Sequence, residues 1–153
     1  MTSCNRESFP ERRFVPCDEV LPRRILVVED HDDSRMMIKL LLEQEQFTVL
    51  EAIDGVDALR IAKAEHPDLI LMDLSLPRLD GLGATRLIRR NRTIGKVPII
   101  FLSGRGEPCF RKAAFNAGAN EFLLKPIDID YMLAAISRWL SLSEGTFAQG
   151  MAS

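Results

Sequence analysis

Short apolar runs alternate with longer amphipathic segments along the chain from about residue 24 to residue 140. The apolar runs are rich in Leu, Ile and Val, which is typical of buried strands. They cover residues 25–28, 48–52, 69–72, 97–102 and 122–124. The segments between and after them carry helix-start and helix-stop residues, such as Pro108 and Gly118. They predict helices over 34–45, 56–65, 83–90, 108–118 and 129–140.

This alternation of strand and helix predicts an α/β fold, a doubly wound parallel sheet of five strands with five helices. The first helix has three candidate N-cap residues, Asp32, Asp33 and Ser34. Its predicted buried positions are Met37, Ile38, Leu41 and Leu42.

Four of the predicted strands end in a polar side chain. Glu29 and Asp30 follow the first strand, Asp73 the third, Ser103 the fourth and Lys125 the fifth. The carboxyl ends of parallel strands share one edge of the sheet, where ligands bind in open α/β folds. We therefore expect these five side chains to form one small site.

Three carboxylates in one site need a compensating charge. Two of them about 5 Å apart repel by roughly 3 kcal/mol at an effective dielectric near 20. A proton, a cation or a fixed positive side chain must offset this repulsion. Oxygen ligands without a cysteine or a histidine pair favour a hard cation such as Mg²⁺. With a hydroxyl and an ammonium group nearby, the site has the parts to form and hold an aspartyl phosphate.

The order and spacing of these residues resemble the receiver domain of two-component response regulators. The separations are 43 residues from Asp30 to Asp73, 30 from Asp73 to Ser103 and 22 from Ser103 to Lys125. Further motifs that carry the resemblance are Pro77 with Asp80-Gly81, Phe101-Leu102-Ser103-Gly104, Ala117-Gly118-Ala119 and Lys125-Pro126. The resemblance covers about 23–140 and implies a flavodoxin-like sheet in the order 2-1-3-4-5. It further suggests a stand-alone, chemotaxis-type form.

The resemblance implies a role for each site residue. Asp73 is the expected phosphoacceptor. Mg²⁺ would be held by Asp30, Asp73 and the backbone carbonyl of Ser75, with Glu29 acting directly or through water. The departure from two aspartates to Glu29-Asp30 leaves the charge unchanged.

The other implied roles concern the phosphoryl group and the response to it. Ser103 would donate a hydrogen bond to a phosphoryl oxygen, and Lys125 would pair with Asp73 before phosphorylation and with the phosphoryl group afterwards. Phe122 stands where the family has its switch aromatic; without a hydroxyl it would act by packing alone. The Lys125–Pro126 bond is a candidate cis peptide.

Composition narrows the class of partner. Twenty basic against twenty-two acidic residues leave a net charge of −2, which argues against a dedicated nucleic-acid surface. The sequence has no apolar run long enough to span a membrane and no recognisable signal sequence. The three cysteines are odd in number and lack the spacing of a disulfide framework or a zinc site. We expect a cytoplasmic signalling protein that is not an enzyme beyond its own phosphorylation and slow autodephosphorylation. Its implied partners are a histidine kinase or phosphotransfer protein and a downstream protein target, with the chain a monomer or a phosphorylation-dependent homodimer.

The segments outside the domain read as flexible extensions, 1–22 and 141–153, because they lack sustained hydrophobic periodicity. Met36 and Leu40 lie on the side of the first helix opposite its core positions, where they would form a docking stripe for a helical partner. Alternatively, the N-terminal extension folds back over them.

Two other interpretations stay open. The same fold could serve as an interaction module that does not depend on phosphorylation. A basic group near the end of the third helix is better explained as a solvated helix face than as a site for an acidic partner. Its members are Arg86, Arg89, Arg90, Arg92 and Lys96.

Overall fold

A computed structural model describes the backbone of residues 21–152 and the side chains of residues 21–142. Five parallel strands form one sheet in the order β2-β1-β3-β4-β5, which confirms the predicted topology. The strands are β1 (Arg24–Val28), β2 (Thr48–Ala52), β3 (Leu69–Asp73), β4 (Ile99–Ser103) and β5 (Glu121–Leu124). The helices are α1 (Asp32–Gln44), α2 (Gly55–Glu65), α3 (Gly81–Arg90), α4 (Pro108–Ala117) and α5 (Ile129–Ala152).

The core lies on both faces of the sheet, because alternate residues of each strand point to opposite sides. On one face, β1 residues Leu26 and Val28 pack in a cluster with buried residues of α2, α3 and α4. On the other face, Ile25 and Val27 belong to a cluster with buried residues of α1 and α5. Strands buried on both faces explain the near-continuous apolar runs in the sequence.

The start of α1 differs from the prediction. The N-cap residue is His31, not Asp32, Asp33 or Ser34, and it makes no side-chain cap hydrogen bond. The His31 ring instead contacts the Glu29 carboxylate. Helix α1 begins at Asp32, so a single residue separates it from the acidic pair Glu29-Asp30. Asp32 and Asp33 lie in the first turn, where negative charge complements the helix dipole.

The prediction of which residues of α1 are buried was partly wrong. Ile38 and Leu42 are buried and Leu41 is half-buried, but Met37 is 52% exposed. At helical spacing, Ile38 and Leu42 are four residues apart and define the inward face, and Met37 is turned about 100° from Ile38 around the axis. Met37 therefore lies on the outer side of α1, together with Met36 and Leu40.

The last helix also differs, since α5 continues to Ala152 and not only to residue 140. The segment predicted as a flexible tail is therefore helical as far as Ala152. Residues 141–152 contain no proline, so the backbone hydrogen bonds of α5 are not interrupted. The small and polar composition ended the amphipathic pattern but not the helix. The N-terminal extension, 1–22, lies almost entirely outside the described residues.

Two local features of the fold were predicted correctly. Gly118 ends α4 with a left-handed φ of 119°, as expected for a C-terminal glycine cap. The Lys125–Pro126 peptide bond is cis. Among the described residues, none of the helices has both the length and the apolar character needed to cross a membrane.

The start of α2 packs closely against the loop that precedes α3, and this contact is testable. A Cβ atom on Gly55 would lie 2.0 Å from the carbonyl oxygen of Leu79. We expect Gly55→Ala to lower the free energy of unfolding by about 1–3 kcal/mol, measured by urea denaturation. Gly104→Ala is the control, because its Cβ would meet nothing within 4 Å, and it should change stability by less than about 0.5 kcal/mol. Equal stabilities of the two variants would contradict this account of the contact.

Candidate functional site

The register of the sheet brings the predicted polar residues to one edge. Val28 pairs with Met72, so Glu29 and Asp73 follow neighbouring positions on adjacent strands. Ser103 and Leu124, the last residues of β4 and β5, are paired, so Lys125 follows β5 beside the end of β4. The backbone N–H of Lys125 donates to the carbonyl oxygen of Ser103 at 2.7 Å, fixing the start of the loop after β5.

Lys125 lies between two carboxylates. Its Nζ atom donates to Glu29 Oε1 at 3.0 Å and is 3.6 Å from Asp73 Oδ1. The Glu29 and Asp73 side chains are 1% and 8% exposed, whereas that of Lys125 is 30% exposed. The ammonium group is therefore the fixed positive charge that the carboxylate cluster requires.

The pKa values of the two carboxyl groups that Lys125 contacts are shifted in opposite directions. Burial raises the pKa of Asp73 to about 6, and the negative charge of Glu29 adds to the increase, which Lys125 only partly offsets. Burial acts in the same direction on Glu29, but hydrogen bonds from Lys125 and His31 outweigh it and lower the pKa of Glu29. The pKa of Lys125 is raised, because its bonds to the two carboxylates outweigh the effect of burial. Of the two carboxyl groups that Lys125 contacts, Asp73 thus takes up a proton more readily.

Asp30 presents an oxygen atom that fits a cation. Its Oδ1 atom is buried and accepts no hydrogen bond within the part of the chain with described side chains, although the His31 ring lies 3.3 Å away. Such an atom is costly to bury unless something pairs with it. Ligand atoms of Glu29, Asp30 and His31 lie within 4.8 Å of one another, a spacing that could hold a metal ion. The carboxylate oxygens of this group suit the Mg²⁺ expected from the sequence.

His31 is a member of the site that the sequence analysis missed. Its ring is 75% exposed, yet Nδ1 lies 3.0 Å from Glu29 Oε2 and 3.3 Å from Asp30 Oδ1. The hydrogen bond with Glu29 and the charge of Asp30 raise the pKa of His31. Its position next to the acidic pair was the signal that could have identified it.

Ser103 and Ser75 reach the site edge in different ways. The buried hydroxyl oxygen of Ser103 accepts a hydrogen bond from the Arg105 backbone N–H at 2.9 Å, so in this structure it is held by its own loop. The Ser75 backbone N–H donates to the Asp73 carboxylate and lowers its pKa. Ser75 also lines an open cleft together with Asp30 and Arg105.

Phe122 is almost completely buried, with 4% of its surface exposed. The Arg111 guanidinium of α4 lies over its ring, 5.6 Å from the centroid. The aromatic residue therefore packs inward in this structure, below a cationic side chain.

The chain belongs to the family described as the response regulator receiver domain, whose model matches residues 25–137. This confirms the resemblance seen in the sequence. The CAI-1 autoinducer sensor kinase/phosphatase CqsS of Vibrio cholerae is 39% identical over 119 residues, 77% of this chain and 17% of that protein. The response regulator ArlR of Staphylococcus saprophyticus is 38% identical over 117 residues, 76% of this chain and 52% of that protein. The chain thus spans about half or less of the length of these two relatives.

Among solved structures, the receiver domain of a sensor histidine kinase from Pseudomonas aeruginosa PAO1 is similar. It has a TM-score of 0.74 and 35% sequence identity, and the match covers 78% of this chain and 98% of that one. That structure has a magnesium ion coordinated in the active-site cleft. A signal receiver domain from Vibrio parahaemolyticus has a TM-score of 0.77 and 26% identity, and the match covers 84% of this chain and 97% of that one.

The raised pKa of Asp73 makes the stability of the protein depend on pH. The pKa is about 6 in the folded protein against a usual 3.8, so the folded state binds more protons between these values. The contribution of Asp73 to stability is therefore lost as pH rises through this window. Without divalent cations, we expect Asp73→Asn to be more stable than the wild type at pH 8 by about 1–3 kcal/mol in urea denaturation. The advantage should shrink towards pH 4.

The control for this experiment is Asp33→Asn, which removes an exposed carboxylate of α1. We expect it to change stability by no more than about 0.5 kcal/mol at either pH. An advantage of Asp73→Asn that is the same at pH 4 and pH 8 would show that the ionisation of Asp73 is not its source.

Proposed function

We propose that this chain is a phosphoacceptor that receives a phosphoryl group on Asp73 from a histidine kinase or a histidine phosphotransfer protein, and that phosphorylation changes its binding to a downstream protein. The observation that carries the proposal is the contact of Lys125 with both Glu29 and Asp73. Membership of the receiver family supports it. The proposed setting is the cytoplasm.

Four groups would hold Mg²⁺ in this proposal: Asp30, Asp73 and the Ser75 backbone carbonyl directly, and Glu29 directly or through water. When bound, the ion would neutralise charge on the phosphoryl oxygens and assist the in-line displacement. The buried Oδ1 atom of Asp30, which accepts no hydrogen bond from the described residues, supports this assignment.

Asp73 has to be ionised to act as the nucleophile. With a pKa of about 6 it is mostly ionised at neutral pH in the absence of a cation. A carboxylate oxygen of Asp73 forms the new O–P bond as the N–P bond of the donor phosphohistidine breaks. The leaving imidazole keeps the bonding electron pair and takes up a proton from solvent.

Lys125 and Ser103 would stabilise the phosphoryl group after transfer. Lys125 already contacts Asp73 and can follow the new negative charge with its flexible side chain. The Ser103 hydroxyl accepts a hydrogen bond from the Arg105 N–H, whereas among the described residues its own proton has one acceptor, the Arg105 carbonyl oxygen at a distant 3.4 Å. That proton is thus available for a phosphoryl oxygen. In this proposal, inward movement of the loop after Ser103 links phosphorylation to the packing of Phe122.

The proposal is tested by adding beryllofluoride and Mg²⁺ to the labelled protein. We expect the amide signals of Ser103, Phe122 and Lys125 to shift, because beryllofluoride mimics the phosphoryl group on Asp73. Asp73→Asn should abolish the shifts, whereas Asp33→Asn should retain them. Unchanged spectra of the wild type would reject phosphoacceptor function. Binding of a captured partner equally well by the wild type and Asp73→Asn would favour a phosphorylation-independent module.

The proposed docking surface for the histidine-bearing partner lies on α1. Met36 and Leu40 are 55% and 52% exposed and stand one helical turn apart, starting close to the acidic pair. The exposed Met37 enlarges this apolar surface. A helical partner could bury these side chains and bring its histidine to the same end of the sheet.

Deletion of residues 1–20 distinguishes a partner surface from one covered by the N-terminal extension. We expect the methyl signals of Met36 and Leu40 to be the same in the full chain and in the shortened one, because their surface is already exposed. Met132, a buried residue of α5, is the internal control and should not respond in either case. A shift confined to Met36 and Leu40 would show that the extension covers them and would remove the docking proposal.

A further inference from the structure

The loop between β3 and α3, residues 74–80, is joined to the start of α2 by an ion pair. Arg78 Nη2 contacts Asp54 Oδ2. The Asp54 side chain is 2% exposed, whereas that of Arg78 is 65% exposed. A buried carboxylate with an exposed cationic partner is more than a solvated surface pair, because removing the cation leaves the buried charge without its counterion.

Arg78 makes this contact from an uncommon backbone conformation. Its φ is 65°, in the left-handed region that residues with a Cβ rarely adopt. From this conformation, the Arg78 side chain reaches Asp54. The surrounding packing has to maintain such a conformation.

Asp54 is itself held in a fixed orientation. Its second oxygen, Oδ1, accepts a hydrogen bond from the Asp57 backbone N–H at 2.7 Å and so caps α2. The adjacent Gly55 lies against the carbonyl oxygen of Leu79, at the end of the same loop. The N-terminus of α2 is therefore a rigid support for the loop.

The loop has further bonds at its base and within its turn. The Gly81 backbone N–H donates to the Leu74 carbonyl oxygen at 3.1 Å, and the Leu79 N–H donates to the Pro77 carbonyl oxygen at 2.7 Å. The first bond closes the loop and the second tightens its tip. The Asp54–Arg78 pair differs from both, since it connects the loop to another helix.

The segment that is held in this way borders the functional cleft. Ser75, Leu76 and Pro77 line the cleft that also contains Asp30. We propose that the Asp54–Arg78 pair is a positioning device, which holds the β3–α3 loop so that the Ser75 backbone carbonyl is ready to bind the divalent cation. This inference rests on the proposed function, in which Ser75 supplies that ligand.

Loss of the Asp54–Arg78 pair is expected to weaken cation binding more than it slows phosphoryl transfer. A loop that is ordered during folding does not have to be ordered by the cation, which preserves binding free energy. Without the ion pair, the cation has to order the loop and binds more weakly. Once the cation is bound, the geometry at Asp73 is restored, and the rate at saturating Mg²⁺ should be nearly unchanged.

The test uses substitutions of Arg78, because changing Asp54 would also remove the cap of α2. Arg78→Asn removes the charge but keeps a residue that tolerates the left-handed conformation, and Arg78→Lys keeps a positive charge. The matched control is Arg60→Gln, which breaks an exposed ion pair with Asp57 on the same helix but away from the loop. Mg²⁺ affinity is measured from the amide shifts of Asp30 and Ser75, and phosphorylation by acetyl phosphate is measured across Mg²⁺ concentrations.

We expect Arg78→Asn to raise the Mg²⁺ dissociation constant and the half-saturating Mg²⁺ concentration about five-fold, with the rate at saturating Mg²⁺ within about two-fold of the wild type. Arg78→Lys and Arg60→Gln should both stay within about two-fold of the wild-type affinity. An affinity of Arg78→Asn equal to that of Arg60→Gln would overturn the inference. So would a rate that falls equally at every Mg²⁺ concentration, which is the pattern of general destabilisation. A wild-type protein that neither binds Mg²⁺ nor accepts a phosphoryl group would instead reject the proposed function.

Discussion

The contact of one ammonium group with two buried carboxylates is the interaction on which the site depends. Lys125 lies 96 positions after Glu29 in the chain, yet its Nζ is 3.0 Å from Oε1 of that residue and 3.6 Å from Asp73 Oδ1. Without it, Glu29 and Asp73 would be two buried negative charges at one sheet edge, an arrangement that proteins avoid by taking up protons. The lysine therefore allows a carboxylate cluster to exist inside the end of an apolar sheet.

The same contact makes the protonation behaviour of the two buried carboxylates different. Glu29 receives hydrogen bonds from Lys125 and His31 and remains ionised, whereas Asp73 bears most of the cost of burial. Asp30 keeps an oxygen without a hydrogen bond from the described side chains. In the proposed function, this difference between the carboxylates would suit a cation at Asp30 and a reaction at Asp73. The cost in stability is typical of functional sites, where local rules are broken for chemistry.

The loops around this cluster are positioned by contacts with neighbouring elements. The β3–α3 loop is joined to α2 through Asp54 and Arg78, and the loop after Ser103 is held by the Arg105 backbone N–H. In our proposals, the first contact would hold residues that border the cleft, and the second would leave the Ser103 hydroxyl proton available for a phosphoryl oxygen. The rigid sheet supplies the carboxylates, and the loops supply the adjustable groups.

The sequence by itself determined the parallel α/β sheet and the edge at which the polar side chains lie, because strands that alternate with helices form βαβ units whose carboxyl ends share an edge. The strand order came from the resemblance to the receiver family. The sequence could not determine that α5 continues to Ala152, since polar composition does not stop a helix that no proline interrupts. The prediction for Met37 was wrong because consecutive apolar residues on α1 do not define which side of the helix faces the core. The sequence shows that His31 follows the acidic pair, but the tertiary structure decided that its ring contacts Glu29 and that Arg78 reaches Asp54. Both contacts depend on loop geometry, which hydrophobic periodicity does not encode.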